Sequence, residues 1–574
     1  MSLVIILHRF HKTPLDSQNV RRNYSIFIRQ DSCYNSRKIT QKGIAMYPTI
    51  DEIRAIPNLR DYKRVSVAWE MLSDFLTPIE AMRILKSHST HTFLLESVED
   101  RQRWGRWSFL GFEPKLEITA RGESVYLNGT LSPAHKGNPN ALIRAILAEY
   151  KSPKIDALPP FCGGLVGYFA YSYLRYSEPK LDKIFADSAL DSRESSFDLH
   201  INSHKFSQDS RQNPQDLHNI IPFNDLDLML FDCIIAFDNL RQKIVLIANI
   251  ALDDLDNTYN EAQIKLKSLQ DILTKRTPLG AIPPPLPLNL TSDITPDFTQ
   301  EAFCAMVEKA KDYIKEGDIF QVVLSNPLHA HAQGSLFDTY RIIRTINPSP
   351  YMFYFSSDNI EMAGASPETL IKLQNGTLYT YPLAGSRPRG ANEREDKALE
   401  KELLSDEKEC AEHNMLVDLG RNDIGKVAKI GSVAVEKYME VQRYSHIMHI
   451  GSCVRGEIAE DLDALDAISS VLPAGTLSGA PKIRACEIIN ELEKSPRGVY
   501  GGAVGYLDFS GNMDSCIAIR LVYKKGDELV VRSGAGIVAD SVGENEYVEC
   551  INKAKAVVEA LNEANRLSTY NLGN

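Results

Sequence analysis

From Pro48 to Ile250, stretches that alternate apolar and polar residues follow stretches with the 3.6-residue period of a helix, which predicts strands and helices in alternation. Between roughly Asp187 and Asp216 the pattern lapses into Ser, Asp, Gln and His, as in a mobile surface insertion. Further on, "GGAVGYLDF", "SCIAIRLVY" and "ELVVRS" are separated by the turn compositions "SGN" and "KKGD", which predicts a three-stranded meander. "PETLIKL" and "LYTYPLAGS" flank Asn375-Gly376, a strong hairpin signal that places Glu368 and Gly385-Ser386 at one end of one hairpin. "GGLVGYFAY" (Gly163 to Tyr171) resembles "GGAVGYLDF" (Gly501 to Phe509), either by chance or because two parts of the chain give similar strands to neighbouring sheets. The expected class is α+β with antiparallel sheets.

Two helices carry unusual acids. In "EKECAEHNMLVDLGRND", Glu409 and Glu412 stand i,i+3 apart on the stripe that continues to Leu416 and Leu419. In "NEYVECINKAKAVVEALNEA", Glu546 and Glu549 repeat the spacing, with Glu546 bordering the apolar arc and Glu549 outside it. Each pair by itself reads as a solvated helix face. A carboxylate on an apolar stripe, however, is costly unless it is protonated or paired. A hard cation such as Mg²⁺ relieves it and leaves positions open for an acidic substrate. Arg520, expected on a central strand, can take a carboxylate bidentately or make an ordinary cross-strand ion pair. Gly534-Ala535-Gly536 can form an anion-holding nest or merely a tight turn.

Charge and composition narrow the partners. The 574 residues carry a net charge of −11, which argues against nucleic acid or an acidic membrane surface. The nine cysteines are scattered singly, with no paired spacing for disulfides or zinc. No apolar run approaches the roughly 20 residues needed to span a bilayer. Residues 1–45 are basic, as in an organelle transit segment; alternatively "MYPTIDEI" at Met46 is the natural start and the location cytoplasmic. The proline-rich 277–299 separates an N-terminal part, 46–276, from a C-terminal part, 300–566, followed by a tail, 567–574.

"GDIFQVVLS", "NPSPYMF", "GASPETL", "PLAGSRPRG", "DEKECAEHNMLVDLGRNDIGKV", "YSHIMH", "PAGTLSGAPKIRACEIINELE", "RGVYGGAVGY", "CIAIR" and "GAGIVADS" resemble, in order, the chorismate-utilising enzymes. They are most similar to the anthranilate synthase large subunits. The resemblance implies two antiparallel sheets packed face to face, with helices outside. It implies Mg²⁺ on Glu412 and Glu549, supported by Glu409 and Glu546. Chorismate is implied at Tyr500, Arg520, Gly534, Ala535, Gly536, Gly385 and Ser386. Glu368 is implied as the acid for the C4 hydroxyl, His449 as a histidine at the reacting ring, and Thr476 as a pocket residue. Gln321 stands where isochorismate-type enzymes carry a lysine base, which favours ammonia over water as nucleophile. Ala384 stands where lysine-dependent aminodeoxychorismate synthases have lysine. Ser386 replaces the usual threonine, and Asn326 has no evident reading.

"LLESVED", "GRWSFLG" and "NPSPYMF" resemble a feedback site for L-tryptophan, with Ser97, Pro350, Tyr351 and Met352 in contact and Trp107 as packing. The chain lacks the Gly-x-Cys-x-Gly elbow of a glutamine amidotransferase, so ammonia is expected from a separate glutaminase subunit in a heterotetramer of two large and two small subunits. The rivals are an aminodeoxychorismate synthase and a non-catalytic chorismate-binding protein.

Overall fold

The computed structural model describes residues 46–97, 105–186, 223–275, 286–443 and 447–572. The basic leader and the polar stretch 187–216 lie outside them. Among the described residues, thirteen strands form one sheet and twelve form a second. The first runs Arg64–Leu72, Lys243–Ala251, Cys233–Asp238, Trp107–Phe112, Thr92–Glu96, Tyr351–Ser356, Glu361–Ser366, Leu521–Lys525, Glu528–Ile537 and Gln321–Gln333, with short strands at its end. The second runs Leu383–Pro388, Ile447–Glu457, Thr377–Thr380, Thr369–Gln374, Met513–Ile517, Ala503–Asp508, Gly164–Phe169, Leu226–Phe231, Leu116–Arg121 and on to Thr130–Leu131.

Alternation along these strands gives each sheet two apolar faces, and the inner two meet. Phe93 of the first sheet lies edge-on to Phe231 of the second at 4.7 Å between centroids, and Tyr168 meets Phe355 at 6.3 Å. Helices Pro78–Lys86, Leu255–Lys275, Phe337–Ile346 and Gly543–Leu572 cover the outer face of the first sheet through Leu85, Leu266, Tyr340 and Leu561. Helices Pro139–Glu149, Glu407–Gly425 and Ala464–Val471 cover the second through Ile143, Val417 and Ile468. The fold is thus α+β, two antiparallel sheets face to face with helices outside. No helix among the described residues is long and apolar enough to cross a membrane.

The two sequence parts on either side of 277–299 are not separate in space. Thr92–Glu96 pairs with Tyr351–Ser356, and Gly164–Phe169 pairs with Ala503–Asp508, so both parts build both sheets. Met46–Asn574 forms one compact unit. Within the proline-rich stretch, Asn289–Leu290 and Thr295–Pro296 pair with Gln321–Gln333. The helix Gly543–Leu572 runs through most of the expected tail.

The two similar Gly-rich strands are direct neighbours, with Gly167 opposite Gly505. A Cβ on Gly167 would lie 1.9 Å from the Asp227 carbonyl oxygen. Gly167→Ala is therefore expected to destabilise the chain by about 1–3 kcal/mol, read as a lowered thermal midpoint.

The expected meander is divided. Ala503–Asp508 and Met513–Ile517 form a hairpin in the second sheet, whereas Leu521–Lys525 and Glu528–Ile537 form one in the first. "CIAIRLVY" breaks at Ala518 to Arg520, where Arg520 takes a left-handed φ of 51°. Both faces of the run are buried, so its apolar pattern gave no sign of the break. "LYTYPLAGS" is divided as well. Thr377–Thr380 pairs with Thr369–Gln374, while Leu383–Pro388 pairs with Ile447–Glu457.

Candidate active site

Glu368 and Arg520 occupy equivalent places in the architecture, each on a segment that carries the chain from one sheet to the other. Glu368 lies between Glu361–Ser366 of the first sheet and Thr369–Gln374 of the second. Arg520 lies between Met513–Ile517 of the second and Leu521–Lys525 of the first, off the central strand expected for it. Backbone bonds join the two crossings. Ile517 N–H donates to the Glu368 carbonyl at 3.0 Å, and Ala365 N–H donates to the Arg520 carbonyl at 3.1 Å.

Thr476 Oγ1 donates to Glu368 Oε1 at 3.3 Å. Burial raises the Glu368 carboxyl to about 7, against the opposing influence of Thr476, Arg520 and Lys553. Glu368 retains partial exposure and is otherwise enclosed. Near neutral pH it can therefore hold a proton and donate it.

His449 lies opposite Ser386 in the ladder, and its Nδ1 is 2.9 Å from the Gly385 carbonyl. A carbonyl only accepts, so Nδ1 carries the proton and Nε2 the lone pair. Burial lowers the His449 pKa, outweighing the Gly385 bond, so the ring is neutral. Gly385 is a bulge residue at φ 62°, and a Cβ there would come within 3.1 Å of Glu409 Oε2. Ser386 is exposed.

Gly534 to Gly536 form no loop nest. They lie within Glu528–Ile537, paired with Ser325 to Val323, while the ladder on the other edge stops at Val531. That leaves one edge of the segment without a neighbouring strand among the described residues. Tyr500 is buried, and its hydroxyl would be 2.9 Å from a Cβ on Gly534. Gln321 Nε2 covers Gly536 in the same way at 2.8 Å.

The glutamates are arranged differently from the apolar stripe expected. On Glu407–Gly425 the buried residues are His413, Leu416, Val417, Asp423 and Ile424, whereas Glu412 is exposed and Glu409 partly buried. The helix turns one residue further than the stripe through Leu419 assumed, placing His413 against Ser452 inside. Glu409 and Glu412 thereby lie off the core-facing stripe. Although the residue as a whole is exposed, partial desolvation of its carboxyl raises the Glu412 pKa, helped by the charges of Glu409 and Glu549 and opposed by Lys408. Burial likewise raises Glu546, with Glu549 adding to it. The two helices therefore bring their acids within electrostatic reach of each other. Among the described residues no three His, Cys, Asp or Glu side chains converge closely enough to hold a metal ion. Glu549 is engaged by Lys553 at 2.7 Å and Glu409 by Arg387 at 3.6 Å. Hard oxygen donors on two walls, two of them held against their own charge, suit Mg²⁺ in kind.

A cleft of about 540 Å³ opens where Asn347 and Arg520 face helix Gly543–Leu572, whose Asn545, Val548, Glu549, Asn552, Lys553 and Ala556 line it. Lys553 escaped the sequence reading. It donates to the Gly534 carbonyl at 3.1 Å, and its only sequence signal was its place one turn after Glu549. Asn326 also acquires a reading: buried, it accepts from Phe298 N–H at 3.1 Å and donates to its carbonyl at 2.9 Å, pinning the chain ahead of helix Gln300–Glu316.

The expected feedback positions fall on or beside neighbouring strands. Met352 pairs with Glu96, and Glu96 with Ser108, so the next row across the three strands is Tyr351, Ser97 and Trp107. Pro350 directly precedes this row. Trp107 stacks on Phe109 at 6.2 Å, as packing. Residues 98–100 of "LLESVED" and Tyr444 to His446 of "YSHIMH" lie outside the described residues.

Residues 90–559 match the family model described as chorismate binding enzyme. The chain is 42% identical over 536 residues to anthranilate synthase component 1 of Acetivibrio thermocellus, covering 91% of this chain and 99% of that protein. It is 40% identical over 519 residues to the Aquifex aeolicus component 1, covering 89% and 97%. The crystal structure of anthranilate synthase component I from Streptococcus pneumoniae is 37% identical, with a TM-score of 0.63 over 85% of this chain and 99% of that one. The menaquinone-specific isochorismate synthase of Escherichia coli, 17% identical with a TM-score of 0.58 over 87% and 95%, shares the fold. The acid, the arginine and the glycine-lined strand thus sit on a scaffold whose sequence relationship is continuous across nearly its whole length, and the chain belongs to the anthranilate synthase component 1 family of chorismate-binding enzymes.

Proposed function

We propose that this chain converts chorismate and ammonia to anthranilate, pyruvate and water. The observation that carries the reading is the Glu368 carboxyl, raised to about 7 and bonded by Thr476 at the crossing between the two sheets, with Arg520 near enough to influence both it and His449. Chorismate is a dianion. Arg520 and Tyr500 would hold the enolpyruvyl carboxylate, and the glycine strand edge Gly534 to Gly536 gives the ligand close access to backbone. Magnesium, when bound, supplies positive charge against the ring carboxylate. Glu412 and Glu549 would hold it, with Glu409 and Glu546 beside them.

Glu368 donates its proton to the departing C4 hydroxyl as ammonia adds at C2, and the hydroxyl leaves as water. His449, neutral with a lone pair on Nε2, then takes the C2 proton. The enolpyruvyl C–O bond breaks, pyruvate leaves, and the ring becomes aromatic. Gln321 supports ammonia as nucleophile, since an amide has no basicity with which to activate water. Ammonia would come from a glutaminase subunit, in a heterotetramer of two large and two small subunits.

The test is the purified chain with chorismate, Mg²⁺ and ammonium, followed by anthranilate fluorescence. A para-substituted product would assign it instead as an aminodeoxychorismate synthase. Glutamine alone should give no product without a partner. We further propose L-tryptophan as inhibitor through Ser97, Pro350, Tyr351 and Met352. Saturating tryptophan is expected to weaken chorismate affinity by about 5–150-fold, the usual span of coupling between sites. Unchanged turnover at millimolar tryptophan would remove this assignment.

A further inference from the structure

Behind the wall formed by Tyr500 and Gly534 lies a group of charges that the reaction above does not use. Glu493, Arg497 and Arg532 are 2%, 4% and 4% exposed. Glu493 Oε1 accepts from Ser325 N–H at 2.8 Å and from Ser325 Oγ at 2.9 Å, and its Oε2 accepts from Arg497 Nε at 2.9 Å and Arg532 Nη2 at 3.2 Å. Burial works against ionised Glu493, and the charges of Arg497 and Arg532 outweigh it, holding the carboxyl below its usual range. Among the described residues Glu493 is the one carboxylate in hydrogen-bond contact with either guanidinium. Arginine does not deprotonate, so two positive charges against one negative leave a buried net charge of +1.

The backbone groups that these arginines grip carry the substrate wall. Arg497 Nη1 donates to the carbonyl of Leu477, the neighbour of Thr476, at 2.6 Å, and Nη2 donates to the carbonyl of Val323 at 2.7 Å. Its guanidinium lies 5.7 Å from the centre of the Tyr500 ring and 4.8 Å from that of Tyr171. Arg532 Nε donates to Ser325 Oγ at 2.9 Å, and Ser325 is the ladder partner of Gly534 two residues further along the same strand. Buried ion pairs generally contribute little net stability, because desolvation consumes the attraction. An unbalanced one is costlier still unless an anion comes near.

We propose that Glu493, Arg497 and Arg532 form an electrostatic positioning network, whose uncompensated positive charge behind Tyr500 and Gly534 strengthens binding of the dianionic substrate without touching it. The proposal rests on the reading of the cleft as a chorismate site. Arg532→Met removes one cation and leaves a neutral Glu493–Arg497 pair. Arg532→Lys keeps the charge and loses the planar fork. With the full chain, the dissociation constant for chorismate is measured by calorimetry, together with KM and kcat in saturating ammonium and the thermal midpoint.

Arg532→Met is expected to raise the dissociation constant and KM about tenfold, the influence of a unit charge on the order of 10 Å away at an effective dielectric of about 20. Its kcat should stay within about twofold, and Arg532→Lys should recover most of the affinity. A purely structural arginine would lower the thermal midpoint and active fraction and leave the dissociation constant unmoved, which overturns the proposal. Equal loss of affinity in the Met and Lys variants also overturns it. Wild-type chain that binds chorismate without forming anthranilate defeats the proposed reaction, yet the affinity difference still decides the network. Wild-type chain that binds no chorismate defeats both.

Discussion

Glu368→Gln is expected to bind chorismate about as well as the wild type and to form anthranilate from ammonia about 10²–10⁴-fold more slowly, the usual contribution of a positioned general acid. The glutamine keeps the shape and an acceptor for Thr476 but has no proton to give to the C4 oxygen. Near-normal turnover would remove Glu368 as the acid. The pH profile adds a second reading. With a carboxyl at about 7, the donor form is lost as pH rises through that value, so wild-type turnover per free ammonia should fall on the alkaline side. That limb should be missing from the residual activity of Glu368→Gln. The same shift has a stability consequence of fixed sign. The folded chain keeps a proton that the unfolded chain releases above about 4.5, so the contribution of this group is full below that pH and is lost as pH climbs through about 7.

Removing divalent cations with a chelator is expected to lower turnover by about 10²-fold or more, as expected when the charge that stabilises a reacting anion is withdrawn, and Mg²⁺ should restore it. Persistence of full activity in chelator would sink the metal assignment. Binding has a readout apart from catalysis. Glu412 lies among acids whose charges, with burial, raise its pKa, so Mg²⁺ should raise the thermal midpoint of the wild-type chain. Glu412→Gln and Glu549→Gln should each lose that shift. In the absence of Mg²⁺, Glu412→Gln should be no less stable than the wild type, since it relieves repulsion from Glu409 and Glu549.

The sequence was legible where a signal is local or where many short signals stand in order. The Asn375-Gly376 turn and the i,i+3 acid pairs follow from neighbours along the chain, and the structure contains each of them, whereas the two Gly-rich strands, read either as chance or as members of neighbouring sheets, turned out to pair within one sheet. The string of motifs gave the family because order along a chain survives folding unchanged. Strand partnership is different: a strand presents the same alternation whichever neighbour it has. The division of "CIAIRLVY" between two sheets and the mixing of residues 46–276 with 300–566 were thus invisible before the tertiary structure.

The same distinction governs the site. Composition and spacing offered four glutamates and an arginine, each with an ordinary alternative, and only the resemblance implied an acid, because a side chain's pKa depends on what surrounds it in space. Only the folded chain sets Glu368 beside Thr476 in an enclosure that makes it a donor near neutral pH. Only there does Lys553 reach Gly534, and only there do three charges from two distant segments gather behind Tyr500. What the sequence fixes by itself is which residues are available and which elements they ride on. Which of them meet is decided by sheet pairing across hundreds of residues, and it is that pairing which sets the local dielectric and the charges that tune each group.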